Sequence, residues 1–376
     1  MAENKKSHKK QHYVPKFYLK LFSQKSKYLW IYNLKSKESF QVPIKNLCYE
    51  KYFYAKNLEF EKALSLIEQK QAETLHKLVD AQDFANFGHE DFYHIRLFLL
   101  LQSSRTKDAK VISNKYTEFF VADFVKPLLK SSEDLKRKGI TEEFIDSLEI
   151  TFPDDHMSAM SVALSGVELI SDLEPILIIN KSNRNFICSD APIVLYNYIK
   201  IKNTNTTGYQ FPGLQIFCPL NKDILLLLFD KNLYDLKRGT GSTIFINRDS
   251  DVDSINKLQL VNCLDNVFFS KEDDTNYVRN LHLEVEDLIK ERDFRSDIVQ
   301  TTQNNDGTYS EIVTLYQADS NYVFELSFIK LNEKNKRLFE HSYKKLSKSS
   351  KPFHLCRNKE LVDRFNRFDD LFKKSE

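Results

Sequence analysis

The chain has 376 residues, 41% hydrophobic and 29% charged, enough for one large or two modest domains around a sizeable core and unlike a mostly disordered polymer. Only eight glycines are present, and neither GxGxxG nor GxxxxGK[ST] occurs, which excludes the usual phosphate-cradling loops. The net charge of +2 hides an asymmetry: residues 1–27 carry eight lysines against one acid, residues 330–376 carry fourteen Lys/Arg against seven acids, and the stretch between is net −12. Basic ends on an acidic body point either to a polyanionic partner or to arms folded back on that body.

In chain order, residues 28–32 and 39–43 alternate as two strands of a hairpin, and a third short strand is expected near 52–54. From residue 59 the period becomes helical: Leu64, Ile67, Gln71, Leu75 and Leu78 share one face of a helix over about 60–80. The next helix, about 90–106, is apolar nearly all round and should be buried. Further helices are predicted at about 109–130, 141–149 and 155–171. Strands return at 176–180 and 185–188, flanking a Ser182-Asn-Arg turn, then at 214–218, 224–229 and 243–246. Helices at about 251–263 and 275–291 precede an Asn305-Asp-Gly307 turn between strands 298–302 and 311–316; a strand at 324–329 and a charged helix near 360–372 close the chain. Grouped rather than alternating elements argue an α+β fold: antiparallel β segments with an inserted helical block (about 60–171) and a C-terminal helix, in a single domain over 1–376 with a basic extension at 330–376. No apolar run approaches the roughly 20 residues of a membrane helix, and the start lacks the apolar core of a secretion signal. Five scattered cysteines without a CxxC pair then read as reduced thiols in a cytoplasmic protein, with no zinc spacing.

Three stretches carry candidate chemistry. In Gln11-His12-Tyr13-Val14-Pro15, the proline fixes an extended lead into a helix, so that His12 can be aimed reproducibly; equally, Tyr13, Phe17, Leu21 and Phe22 can serve simply to anchor the terminus. Glu61 and Glu68 lie two turns apart on one helix flank, while Gln102 and Arg105 sit on the apolar helix that follows. A guanidinium there must be paired or reach a polar cavity, and the two glutamates are its obvious partners, either as a structural staple or as a cleft binding an anion or metal. The third stretch delivers Ser189-Asp190 from a strand to a break at Pro192, where a carboxylate is held by its scaffold. A Ser-His-Asp arrangement around Ser189 lacks the G-x-S-x-G elbow and is rejected.

Taken in order, these pieces resemble an uncharacterised bacterial family, the domain of unknown function DUF4238. The resemblance rests on His12-Tyr13-Val14-Pro15 followed by Phe17-Tyr18-Leu19 and Phe22, the Glu61/Glu68 helix, Gln102-Ser-Ser-Arg105-Thr106, Phe186-Ile-Cys-Ser-Asp190-Ala-Pro192 and Phe217-Cys-Pro219-Leu220, over about residues 11–270. Lys107 stands where the family pattern usually has proline, and Cys188 where it has Ser or Thr. The resemblance implies that His12, Glu61, Glu68, Gln102, Arg105 and Asp190 form one site. The leading expectation is an intracellular nucleic-acid-acting protein, a metal-dependent nuclease-like effector in antiphage defence. Glu61, Glu68 and Asp190 would hold Mg2+ through oxygen, His12 would move a proton, Arg105 would stabilise a phosphoryl charge, and the basic termini would attract the nucleic-acid backbone. The alternatives are a non-catalytic sensor or adaptor built on a structural ion-pair cluster, and an enzyme acting on a small anionic metabolite held by Arg105 and the Gln102 amide.

Overall fold

The computed structural model describes residues 10–23, 27–54, 58–150, 155–200, 205–237, 241–289, 293–303, 309–317, 322–346 and 357. The chain begins with β1 (Lys10–His12), α1 (Lys16–Phe22), β2 (Tyr28–Asn33), β3 (Glu38–Pro43) and β4 (Tyr49–Lys51). The β2–β3 hairpin forms in the register its alternation implies, and its turn is tied by the Asn33 side chain, which accepts from the Lys35 and Ser36 N–H groups. The third strand falls at Tyr49–Lys51 rather than 52–54, because it pairs antiparallel with β1, so that Gln11 opposes Glu50.

The helical block follows as α2 (Leu58–Ala81), α3 (His89–Ser104), α4 (Lys107–Phe120), α5 (Lys126–Ser131), α6 (Glu133–Arg137), α7 (Glu142–Ser147) and α8 (Asp155–Ser165). The helix expected over 109–130 is interrupted: a π turn at Val121–Val125 separates α4 from α5. α3 is buried mainly in its second half, at Ile95 and from Leu97 to Gln102, and it stops at Arg105 because Thr106 turns extended and caps α4, accepting from the Ala109 N–H.

The β half comprises β5 (Glu174–Asn180), β6 (Cys188–Ser189), β7 (Val194–Tyr196), β8 (Gln215–Pro219), β9 (Ile224–Phe229), β10 (Tyr234–Leu236) and β11 (Thr243–Ile246), then α9 (Asp249–Asn262), β12 (Asn266–Phe269), α10 (Thr275–Val285), β13 (Phe294–Gln303), β14 (Tyr309–Gln317), β15 (Ile329–Leu331) and α11 (Glu333–Leu346). A five-stranded sheet of order β11-β5-β9-β8-β7 is antiparallel apart from the parallel β11–β5 pair, and a four-stranded sheet runs β3-β2-β12-β6. The fold is a mixed α+β one, with several antiparallel sheets and a helical block. The hairpin expected between 176–180 and 185–188 does not form. β5 has β9 on one side and β11 on the other, so neither edge is free; the chain leaves through an Asn180 turn and β6 pairs with β12 instead. Likewise 324–329 is not a strand but mostly irregular packed chain ending at β15, which pairs with β10. The Asn305-Asp-Gly307 turn and the helix expected at 360–372 lie outside the described residues; β13 and β14, on either side of the former, pair antiparallel.

Alternate residues of β5 and β9 enter two different cores. Leu177, Ile179, Ile224, Leu226 and Leu228 pack with α1 and the helical block, while Ile176, Ile178, Leu225, Leu227 and Phe229 pack with α9, α10 and residues 322–329. A sheet covered on both faces explains why 224–229 is apolar without alternation. Among the described residues, no helix is long and apolar enough to cross a membrane.

Candidate functional site

The site is built around the turn that ends α3. Arg105 is 2% exposed, and each contact of its guanidinium crosses to another part of the chain. Nη2 donates to Glu68 Oε1 and to the His12 carbonyl, both at 2.7 Å, and Nε donates to the Tyr54 hydroxyl at 3.0 Å. That hydroxyl in turn donates to the His12 carbonyl at 2.9 Å. One turn earlier on α3, Gln102 Nε2 donates to the Tyr13 carbonyl at 3.0 Å, and the Tyr54 N–H donates to the buried Gln11 side chain at 2.7 Å. Gln102 and Arg105, three residues apart and so on one helical face, therefore grip two consecutive carbonyls just before Pro15. Without them, those carbonyls would be buried beside an apolar helix with too few donors.

This clamp sets where α1 starts. Pro15 holds the extended conformation and α1 begins at Lys16, with Tyr18, Leu19 and Phe22 fully buried. The Tyr18 hydroxyl reaches the Pro219 carbonyl, which ties the opening segment to the end of β8.

Electrostatics divide the cluster. Burial works against the Arg105 charge, but Tyr54 and Glu68 more than offset it and raise its pKa above the ordinary value. The Glu61 carboxyl is pushed up by burial and by the neighbouring Glu68 charge, against the pull of Arg105 and Lys16. His12 moves the other way, down to about 4, through burial and then Lys16, with a hydrogen bond to the Lys45 backbone opposing the shift. His156, at the start of α8, is also lowered to about 4, chiefly by burial; its Nε2 lies 3.0 Å from the Ser104 carbonyl and its ring stacks on Tyr54. Among the described residues, His12 Nε2, Glu61 Oε2, Gln102 Oε1 and His156 Nδ1 are buried without a hydrogen-bond partner.

Of the six residues singled out in the sequence, Glu68, Arg105 and the His12 backbone meet by direct contact, Gln102 holds the neighbouring Tyr13 carbonyl, and Glu61 lies within electrostatic range of Glu68 and Arg105. Asp190 is engaged elsewhere. Both of its oxygens are taken by the N–H groups of Leu264, Asp265 and Asn266 at 2.8–2.9 Å, and the Cys263 thiol adds a 3.4 Å contact. It fastens the chain between α9 and β12, and burial alone pushes its pKa up against those donors. The expected Glu61, Glu68 and Asp190 metal set is thus not assembled, and among the described residues no three His, Cys, Asp or Glu side chains are arranged to hold a metal ion.

Beside the clamp lies a groove of about 540 Å3 lined by Lys16, Lys20, Lys27, Tyr28 and Lys45. Lys16 and Lys20 are one turn apart on α1, and the Ile44 N–H bonded to the Lys27 carbonyl brings Lys27 next to Lys45. Lys16 belongs to the groove and also acts electrostatically on His12 and Glu61. Sequence reasoning missed Tyr54, His156 and this groove. Only the lysine excess of residues 1–27 pointed toward it, and the stretch 1–9 lies outside the described residues.

Comparison with known proteins adds one match. The family model DUF4238, described as a protein of unknown function, covers residues 10–273. No curated protein and no solved structure matches the chain.

Proposed function

The chain belongs to the DUF4238 family, and from that premise we propose that it binds nucleic acid, with the phosphate backbone of a single strand lying in the groove of Lys16, Lys20, Lys27 and Lys45 and a base stacking on Tyr28. The observation that carries this reading is the convergence of four exposed lysines and an exposed tyrosine on one concavity of an otherwise acidic body. Lysines tracking a backbone give sequence-independent attraction, and an aromatic ring beside them accepts any base. In this reading the Arg105 cluster is a positioning device: it holds the carbonyls of His12 and Tyr13 and so fixes α1 and the lysines on it. Arg105 is sealed and already neutralised by Glu68, which suits a staple better than a phosphate ligand. The test is binding of a labelled single-stranded oligonucleotide to the protein and to Lys20→Glu/Lys45→Glu. Loss of binding in the doubly reversed variant, with its unfolding midpoint unchanged, supports the reading; equal binding refutes it.

A second reading, cleavage of the bound strand, is favoured by the unpartnered His12 Nε2 and Glu61 Oε2. The lowered pKa of His12 and the raised pKa of Glu61, both acted on by Lys16 and Arg105, make them a base and an acid set apart by their surroundings. Its test is cleavage of the same oligonucleotide by the protein and by Glu61→Gln, each with Mg2+ and with a chelator, so that metal dependence is read directly. The cellular setting proposed with either reading is antiphage defence in a bacterial cytoplasm, and it rests on the resemblance alone.

A further inference from the structure

His12 takes part in two assemblies at once. Its backbone carbonyl sits in the clamp, accepting from Arg105 Nη2 at 2.7 Å and from the Tyr54 hydroxyl at 2.9 Å. Its imidazole reaches the other way and donates to the backbone carbonyl of Lys45, which lines the lysine groove. Lys45 is the middle residue of a single 3-10 turn, Ile44–Asn46, that follows β3. Buried Ile44 and Leu47 anchor that turn on either side, and the Ile44 N–H bonds the Lys27 carbonyl at 3.0 Å. Between those anchors the His12 bond fastens the Lys45 peptide itself, from which the exposed lysine side chain is aimed.

The ring suits this task better than gripping phosphate. Burial, with the charges of Lys16, Arg105 and Lys10 around it, holds its pKa down to about 4, so at neutral pH it brings a polyanion no counter-charge. Its centre lies 5.5 Å from that of the Tyr49 ring on β4, a packing contact that fixes its direction. Lys16 and Lys20 depend on the same residue by the other route, because the grip on the His12 and Tyr13 carbonyls sets where α1 starts. We propose that His12 is the positioning residue of the groove: its backbone places Lys16 and Lys20, and its imidazole places Lys45, so that lysines from both segments face one strand. The inference rests on the strand-binding reading. It adds that the affinity comes from lysines held in a fixed relation as well as from their charge.

The experiment is fluorescence anisotropy of the labelled single-stranded oligonucleotide, over a range of salt, with the native chain, His12→Phe, Lys45→Ala and the double variant. His12→Phe keeps a ring against Tyr49 and leaves the backbone carbonyl in the clamp, so its unfolding midpoint should stay near that of the native protein. It is expected to bind about fivefold more weakly at about 0.1 M salt, with a slope of log affinity against log salt shallower by about 0.7, the value of one phosphate contact. In the Lys45→Ala background the same substitution should change neither quantity, because the residue it positions is gone. His12→Leu, which also lacks the donor but differs in shape, should repeat the result. One of His12→Asn and His12→Gln, whose amides place an N–H near one ring nitrogen or the other, should restore binding. A native slope in both His12→Phe and His12→Leu, an equal loss with and without Lys45, or a loss that neither amide restores overturns the proposal and leaves the groove reading standing. A native protein that binds no strand overturns both.

Discussion

Among the described residues, Glu68 is the carboxylate that contacts Arg105, and replacing it with methionine leaves the guanidinium, 2% exposed, with the His12 carbonyl and the Tyr54 hydroxyl as its acceptors there. Stranding a buried charge in this way costs about 3–5 kcal/mol when the site is fully sealed. Glu68 is itself 29% exposed, so water can take part of its place, and about 2–3 kcal/mol is expected. In Arg105→Met the situation differs: Glu68 can hydrate, and the His12 carbonyl keeps the Tyr54 hydroxyl at 2.9 Å. Adding Glu68→Met to Arg105→Met should therefore cost almost nothing, which makes the coupling between the two positions about 2 kcal/mol. Urea unfolding of the four proteins measures this. With a slope of about 3 kcal/mol/M, Glu68→Met alone moves the midpoint by nearly 1 M, at unchanged slope. If Glu68→Met costs the same with and without Arg105, the clamp is not held by this ion pair and the positioning role given to it is wrong.

Other substitutions test other joints. Asp190→Asn places an amide N–H2 against backbone N–H groups of the 264–266 turn and should cost about 2–4 kcal/mol in the same urea assay; a stable Asp190→Asn protein that has lost activity would return this residue to the site. Arg357, outside the family match, has a side chain only 2% exposed and makes two bonds to Asp172 at 2.7 and 2.9 Å; Arg357→Met should cost about 2–4 kcal/mol, and no loss of stability would mean that this contact holds nothing. His12 and His156 are both held near pKa 4, below their unfolded value, so between about pH 6.5 and 4 the unfolded chain binds protons that the folded chain refuses. Stability from this source is complete above that window and is lost as the pH falls through it, and His156→Gln should flatten the fall relative to the native protein. An identical pH profile in the variant contradicts the assignment.

The elements that rest on local periodicity were legible. The 28–43 hairpin and helices α2 and α3 lie within a few residues of where alternation and helical spacing put them, because β2, α2 and α3 each bury apolar side chains at the spacing of their own period. The Arg105–Glu68 pair was legible too, since a guanidinium on so apolar a helix has to find an anion. Asp190 was not, because its partners are backbone N–H groups more than seventy residues away, and backbone donors leave no mark on residue type. The failed hairpin at 182–184 shows the same limit: the turn signal is real, but whether two strands pair depends on which edges β9 and β11 have already filled. Tyr54 and the lysine groove depend on how β1, α1 and the 44–46 turn pack, so neither spacing nor composition located them.

The central claim is that a polyanion is held by the lysines beside α1. The most direct measurement is the salt dependence of single-strand binding by fluorescence anisotropy, in the native protein and in Lys20→Ala/Lys45→Ala. With about 0.7 counterions released per neutralised phosphate, engagement of four lysines predicts a slope of log affinity against log salt near −3, and removing two of them should roughly halve it. Binding that ignores salt, or a slope identical in the two proteins, contradicts the account.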